Sequence, residues 1–171
     1  EACPQPPRQR ARLPRHGGDK PGHRPLRPTL GPHRSPCQSA RRVRIGIIGA
    51  GNFTTGRMLP NFKRLPDVEV TTVANRSAAS AQKVAQAFDI PLAVDDWHAV
   101  VESPEVDAVL IGTPPYLHPE ATIAALQAGK HVLCQTRIAR TTAEAVAMQQ
   151  AAEAAAAQGV RAMLAPPAPF Y

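Results

Sequence analysis

Residues 43–53 read VRIGIIGAGNF, and this stretch decides the fold. Val43-Arg44-Ile45-Gly46-Ile47-Ile48 is short and rich in β-branched side chains, which suits a strand buried inside a parallel sheet. Gly49-Ala50-Gly51-Asn52-Phe53 follows at once. A helical pattern then runs from about Thr54 to Arg64, with Met58, Leu59, Phe62 and Leu65 on its apolar side. Pro60 falls inside that pattern and is expected to kink the helix or end its first turns.

Outward from this stretch, strand and helix alternate. Residues 68–74 read as a second strand, and a helix over 78–88 turns Val84, Ala85 and Phe88 inward behind an N-cap at Ser77. A short third strand covers 91–94, and Asp95 is expected to cap a small helix around 97–101. The apolar run 106–111 is a fourth strand, broken by Gly112-Thr113-Pro114-Pro115. A helix over 121–128 closes at Gly129, and residues 131–134 form a fifth strand. A long Ala-rich helix over 142–158 ends at Gly159, and 160–164 is a sixth strand. Pro166, Pro167 and Pro169 forbid regular structure after it. The alternation predicts the α/β class: a Rossmann-like, doubly wound parallel sheet covered on both faces. Right-handed crossovers would gather the C-terminal ends of the strands on one edge, where ligands bind.

Length allows one ordinary domain among the 171 residues and is too short for two full-sized ones. The net charge of +7 raises the question of a nucleic-acid partner until it is mapped along the chain. The first 42 residues hold ten basic and two acidic side chains, whereas ten basic face eleven acidic from Val43 onward. The basicity therefore belongs to the tail. Residues 1–41 carry nine prolines and few apolar side chains, so they are expected to be a disordered basic Pro/Arg-rich segment. Such arms bind nucleic acid or anionic membranes through charge alone. An Arg-rich targeting segment is usually a helix, which the prolines oppose. The expectation is a linker without such a role, with nucleic acid not a partner.

Cys3, Cys37 and Cys134 show no tight pairing, and Cys134 ends an apolar run as a buried thiol would. No apolar stretch is long enough for a membrane-spanning helix, and the first residues lack the apolar run of a signal peptide, so none is expected there. A reducing, cytoplasmic setting is the expectation. The six histidines do not fall into metal-ligand spacing with cysteines or carboxylates, so no metal site is expected.

The candidate chemistry lies at the C-terminal edge. Gly49 would permit a tight turn, and Gly51 would let the backbone approach a pyrophosphate. The N–H groups opening the next helix, at Asn52 and Phe53, would face the phosphates. The third position of the glycine fingerprint is Thr54, whose branched side chain would push the helix away from the sheet; Gly56 is expected to relieve some of that. After the second strand, the usual acidic ribose ligand is replaced by Asn75-Arg76. A guanidinium suits a 2′-phosphate, which favours NADP over NAD. Thr113 and Pro114 would pass beside the nicotinamide ribose, and His118 would either bond to cofactor or substrate or cap the next helix locally. Gln135, at the end of the fifth strand, completes the candidate cofactor-binding set. The plain alternative is a fold-required turn in a domain that has lost its ligand.

These residues carry a resemblance. IGIIGAGNF at 45–53, EVDAVLIGTPPYLHPEATIAALQAGKHVLC at 105–134 and the Ala-rich helix after them resemble the N-terminal domain of the glucose-fructose oxidoreductase, inositol dehydrogenase and rhizopine-catabolism family, written Gfo/Idh/MocA. The resemblance covers 43 to about 165, with the nucleotide-binding domain at 42–165 and the start of an interdomain crossover at 166–171. It implies hydride transfer between NAD or NADP and a sugar or polyol hydroxyl. It places cofactor contacts at Gly49, Gly51, Arg76, Thr113, Pro114 and His118. The family's Glu-Lys-Pro motif is Gln135-Thr136-Arg137 here, so its lysine position holds Thr136, which carries no charge or transferable proton at neutral pH. Arg137 has too high a pKa for general acid–base work, so no catalytic residue is expected. The family's C-terminal substrate domain is expected to be absent. The expected function is thus dinucleotide binding without turnover by this chain alone, with a homo-oligomer or a complementary chain as the candidate partner. The alternative is a non-enzymatic partner-binding or degenerate Rossmann protein without cofactor.

Overall fold

The order of elements follows from hydrophobic runs of strand length separated by helices with one apolar face. The computed structural model describes residues 42–165; the basic segment 1–41 and the crossover stretch 166–171 lie outside the described residues. Six strands, β1 (Val43–Ile48), β2 (Val68–Ala74), β3 (Leu92–Val94), β4 (Ala108–Ile111), β5 (His131–Gln135) and β6 (Ala162–Ala165), form one sheet in the order β3-β2-β1-β4-β5-β6. Every pairing is parallel. In that order the sheet reverses direction of growth between β1 and β4, and ligands of such folds bind at the crevice this reversal opens.

Alternation along each strand sends side chains to two cores. Ile45, Ile47, Val73 and Leu110 pack with Leu59 and Ala85, under α1 (Leu59–Phe62) and α2 (Ala78–Phe88). Ile111, Val109, Val132 and Cys134 pack the opposite face with Val100, Ala121, Ala125 and Met148. Those partners lie on α3 (His98–Glu102), α4 (His118–Gln127) and α5 (Thr142–Ala156). At the N-terminal end of the sheet the Arg44 guanidinium donates to both carboxylate oxygens of Asp107, tying β1 to the start of β4.

Some expectations shift. The first helix runs over 52–62, beginning and ending two residues before the expected span. Its middle, Thr54–Met58, is a π-helical turn closed by the Leu59 N–H on the Thr54 carbonyl. Pro60 has no N–H for the ordinary bond to Gly56, and the wider turn ends at Met58, two residues before it. Leu65 lies outside the helix and is 50% exposed rather than part of its apolar side. The cap of α3 is Asp96, not Asp95: its Oδ1 accepts the His98 N–H at 2.9 Å. The Asp96 carboxyl is held below its usual pKa by that N–H and then by the His98 ring. The helix α4 begins three residues earlier than expected, with Pro119 in its first turn, where a missing N–H costs nothing. A capping box between Thr141 and Glu144 opens α5.

Candidate functional site

The site is built where β1 stops. Ile48 lies between Ala74 of β2 and Ile111 of β4, so the turn after it meets the ends of both neighbours. The Gly49 N–H donates to Ala74 O and the Gly112 N–H to Ile48 O, both at 2.8 Å. Gly49 has φ +85°, and a β-carbon there would lie 2.7 Å from the Thr113 main-chain nitrogen. Both the backbone and the space require glycine. Gly51 is the opposite case: a β-carbon there would meet nothing within 4 Å, so no contact among the described residues demands glycine. What its missing side chain does is leave the mouth of the turn open. The first-turn N–H groups of the helix have no carbonyl of that helix to bond, and the residues that carry them line the same opening.

Thr54 is only 1% exposed, and its hydroxyl donates to the Gly49 carbonyl oxygen at 3.2 Å. The space for it comes from across the groove, where a β-carbon on Gly112 would lie 2.4 Å from Thr54 Oγ1. This corrects the expectation for Gly56, which borders open space and relieves nothing. The helix is not pushed off the sheet, since Leu59, one turn later, is fully buried.

At the end of β2 the Asn75 Oδ1 accepts the Ala50 N–H at 2.7 Å. The amide oxygen of Asn75 thus faces the glycine turn. Arg76 follows as an exposed side chain, and Ser77 caps α2 by accepting the Ser80 N–H. On the other side of the turn, Thr113 and Pro114 leave β4, and His118 is buried behind them. Each ring nitrogen of His118 faces a main-chain oxygen: Nε2 lies 2.7 Å from Thr113 O and Nδ1 2.9 Å from Arg137 O. The ring therefore joins the loop after β4 to the loop after β5. Gln135 reaches toward Gly112 from β5, with Thr136 beside it.

Two hollows meet over the turn. The larger, of about 540 Å³, runs from Gly49, Ala50 and Gly51 past Asn75 and Arg76 to Trp97. The smaller, of about 340 Å³, is lined by Gly51, Asn52, Phe53, Thr54, Thr113, Pro114, His118, Gln135 and Thr136. Gly51, Gly112, Thr113 and Pro114 border both, so the two form one groove along the sheet edge. All ten residues singled out from the sequence line it. Trp97 and Tyr116 also line it and were not singled out; they are two of the chain's seven aromatic residues, and a scarce aromatic just beyond a strand end was the available signal. Among the described residues, His118 is the only titratable one bordering the smaller hollow. Among the described residues no group of three or more His, Cys, Asp or Glu could hold a metal ion, and no helix is long and apolar enough to cross a membrane.

The sequence profile of the oxidoreductase family GFO_IDH_MocA, described as an NAD-binding Rossmann fold, matches residues 43–163. A dTDP-3,4-didehydro-2,6-dideoxy-alpha-D-glucose 3-reductase from Streptomyces violaceoruber is 39% identical over 107 residues, covering 63% of this chain and 31% of that protein. A 3-ketoreductase from Actinomadura kijaniata, solved with NADP, is similar with a TM-score of 0.66 at 31% identity, over 72% of this chain and 38% of that one. A levoglucosan dehydrogenase solved with NADH and levoglucosan gives a TM-score of 0.64 at 29% identity, over 72% of this chain and 34% of the other. The chain spans about a third of the length of the curated relatives it matches.

Proposed function

Because this chain belongs to the Gfo/Idh/MocA oxidoreductase family with its NAD-binding Rossmann fold, we propose that residues 42–165 are its nucleotide-binding domain and hold NADP or NAD in the groove over the glycine turn. The observation that carries this reading is Gly51, a glycine that no contact among the described residues requires, at the point where the two hollows join. The pyrophosphate would lie against Gly51, Asn52 and Phe53, beneath the first-turn N–H groups. The adenosine half would extend toward Asn75 and Arg76, and the nicotinamide half toward Thr113, Pro114 and Gln135. His118 would serve by joining the two loops that wall the nicotinamide end, since both its nitrogens already face main-chain oxygens.

The exposed guanidinium of Arg76, bordering the larger hollow, supports NADP over NAD. Asn75 brings no carboxylate to the ribose, and its amide oxygen already accepts an N–H from the turn. When bound, such a cofactor supplies a hydride donor or acceptor. The family-level activity we propose is hydride transfer with a sugar or polyol hydroxyl as substrate. These residues would bind and orient; Thr136 and Gln135 carry no ionisable group, and both nitrogens of the buried His118 ring face main-chain oxygens. Turnover would depend on groups beyond these residues, in a homo-oligomer or complementary chain. Met163 and Leu164, 66% and 50% exposed on the edge strand β6, favour a covering partner there. A reducing, cytoplasmic setting fits the free buried thiol of Cys134.

Titration of the purified chain with NADPH and with NADH by calorimetry tests the reading. Micromolar binding of either supports it. Absence of binding at millimolar concentration would leave a fold without the family's ligand.

A further inference from the structure

The Gly49–Ala50 peptide is held at both of its polar ends by side chains from different elements. Its carbonyl oxygen accepts the Thr54 hydroxyl at 3.2 Å, and its N–H donates to Asn75 Oδ1 at 2.7 Å. Thr54 belongs to the helix after β1, and Asn75 to the loop after β2. A peptide plane turns about the two bonds that flank it, and Gly49, with no side chain, offers little resistance to such rotation. Two hydrogen bonds on opposite ends of the plane remove that freedom. They fix the direction in which the next N–H groups, at Gly51 and beyond, leave the turn.

We propose that Thr54 and Asn75 are positioning residues for the phosphate cradle, pinning the Gly49–Ala50 peptide so that the free N–H groups of the glycine turn are preset toward the groove. The inference rests on the dinucleotide reading above. It gives the two departures from the usual fingerprint one joint purpose. The branched residue at the third glycine position supplies the hydroxyl, and the amide at the usual acidic position supplies the acceptor. Gly112 completes the arrangement, since a β-carbon there would lie 2.4 Å from Thr54 Oγ1 and 2.6 Å from Gly49 O. Neither side chain needs to touch the ligand. The pyrophosphate is common to NADPH and NADH, so the pair should act on both equally, unlike a residue that reads the 2′-phosphate.

The test uses the full chain and its variants Thr54→Val, Thr54→Ser and Asn75→Leu, with NADPH and NADH titrated separately and the folded state checked by circular dichroism. Thr54→Val keeps the shape and removes the donor; Thr54→Ser keeps the donor. The expected result is a loss of about tenfold in affinity for both nucleotides in Thr54→Val and Asn75→Leu, with their ratio unchanged. Thr54→Ser should stay within about threefold of the parent. Hydrogen exchange at the Ala50 amide should quicken in Asn75→Leu before any nucleotide is added. If the parent binds and Thr54→Val or Asn75→Leu binds equally well, the clamp is wrong while the dinucleotide reading stands. The clamp is also wrong if Thr54→Ser loses as much as Thr54→Val, or if the nucleotide ratio moves. A parent that binds neither nucleotide at millimolar concentration overturns both.

Discussion

Gly112 and Thr54 share one small space: the hydroxyl of Thr54 fills the position that a side chain on Gly112 would take, 2.4 Å from where its β-carbon would lie. Gly112→Ala is therefore expected to destabilise the chain by about 1–3 kcal/mol through overpacking. Chemical denaturation measures it. Thr54→Ala in the same background should restore only part of the loss, because the Gly49 carbonyl oxygen, 2.6 Å from the same β-carbon, remains. Full restoration would show that Thr54 alone sets the crowding.

Arg76 bears on cofactor choice. It is exposed at the rim of the larger hollow, beside the Ser77 cap. Arg76→Ala should weaken NADPH by about tenfold or more, the scale of a charge-assisted hydrogen bond, and leave NADH nearly unchanged. Added salt should reduce the parent's NADPH affinity more than the variant's. Equal losses for both nucleotides would remove Arg76 from the discrimination.

His118→Phe should lower stability by about 1–3 kcal/mol, because the buried ring's hydrogen bond to a main-chain oxygen, Thr113 O or Arg137 O according to the tautomer, is lost. Its effect on nucleotide affinity should follow the loosening of the two loops, reducing NADPH and NADH together. Calorimetry with both nucleotides on the variant decides whether the loss is shared.

Cys134 gives a pH-dependent expectation. Burial pushes its thiol up to about 11 from an ordinary value of 9.0. The folded chain holds this proton more tightly than the unfolded chain, so the group favours unfolding as pH rises. The associated stability is fully present below about pH 9 and declines toward pH 11. The stability difference between the parent and Cys134→Ala should therefore shrink over that window and stay flat below it. At pH 7, alkylation of Cys134 should require unfolding. A difference that does not change with pH would place the ionised thiol in a more polar setting.

The strand order and the position of the groove were legible in the sequence because they follow from rules acting along the chain. Hydrophobic runs of strand length, joined by helices, leave few topologies, and right-handed crossovers put Gly49, Asn75 and Thr113 on one edge before any coordinate is known. Contacts between distant loops were not legible. Thr54 looked like an intrusion because the space that admits it lies at Gly112, in another strand's loop. His118 stood between a ligand contact and a local helix cap, because nothing in the sequence shows that its ring meets Thr113 O and Arg137 O. The difference between Asp95 and Asp96 as the cap of α3 lies within the usual uncertainty of a helix end. Thr141-x-x-Glu144 is another matter: the capping-box signature stood in the sequence and was passed over beside the stronger Ala-rich pattern.

The clasp formed by His118 also sets when in the life of a chain the groove can exist. One of its two oxygens belongs to Arg137, beyond the end of β5, while the glycine turn it helps to enclose was laid down with β1. A nascent or nicked fragment that ends before Arg137 carries the residues of the turn and of the larger hollow, yet the loop after β4 has no loop after β5 to meet across His118. On the proposed reading, recognition of the whole dinucleotide would be acquired late in synthesis, as a property of the completed sheet. A ligand that binds only the completed chain draws it away from its partly folded forms, so nucleotide in the surrounding solution would act on this protein as a folding aid as well as a cofactor.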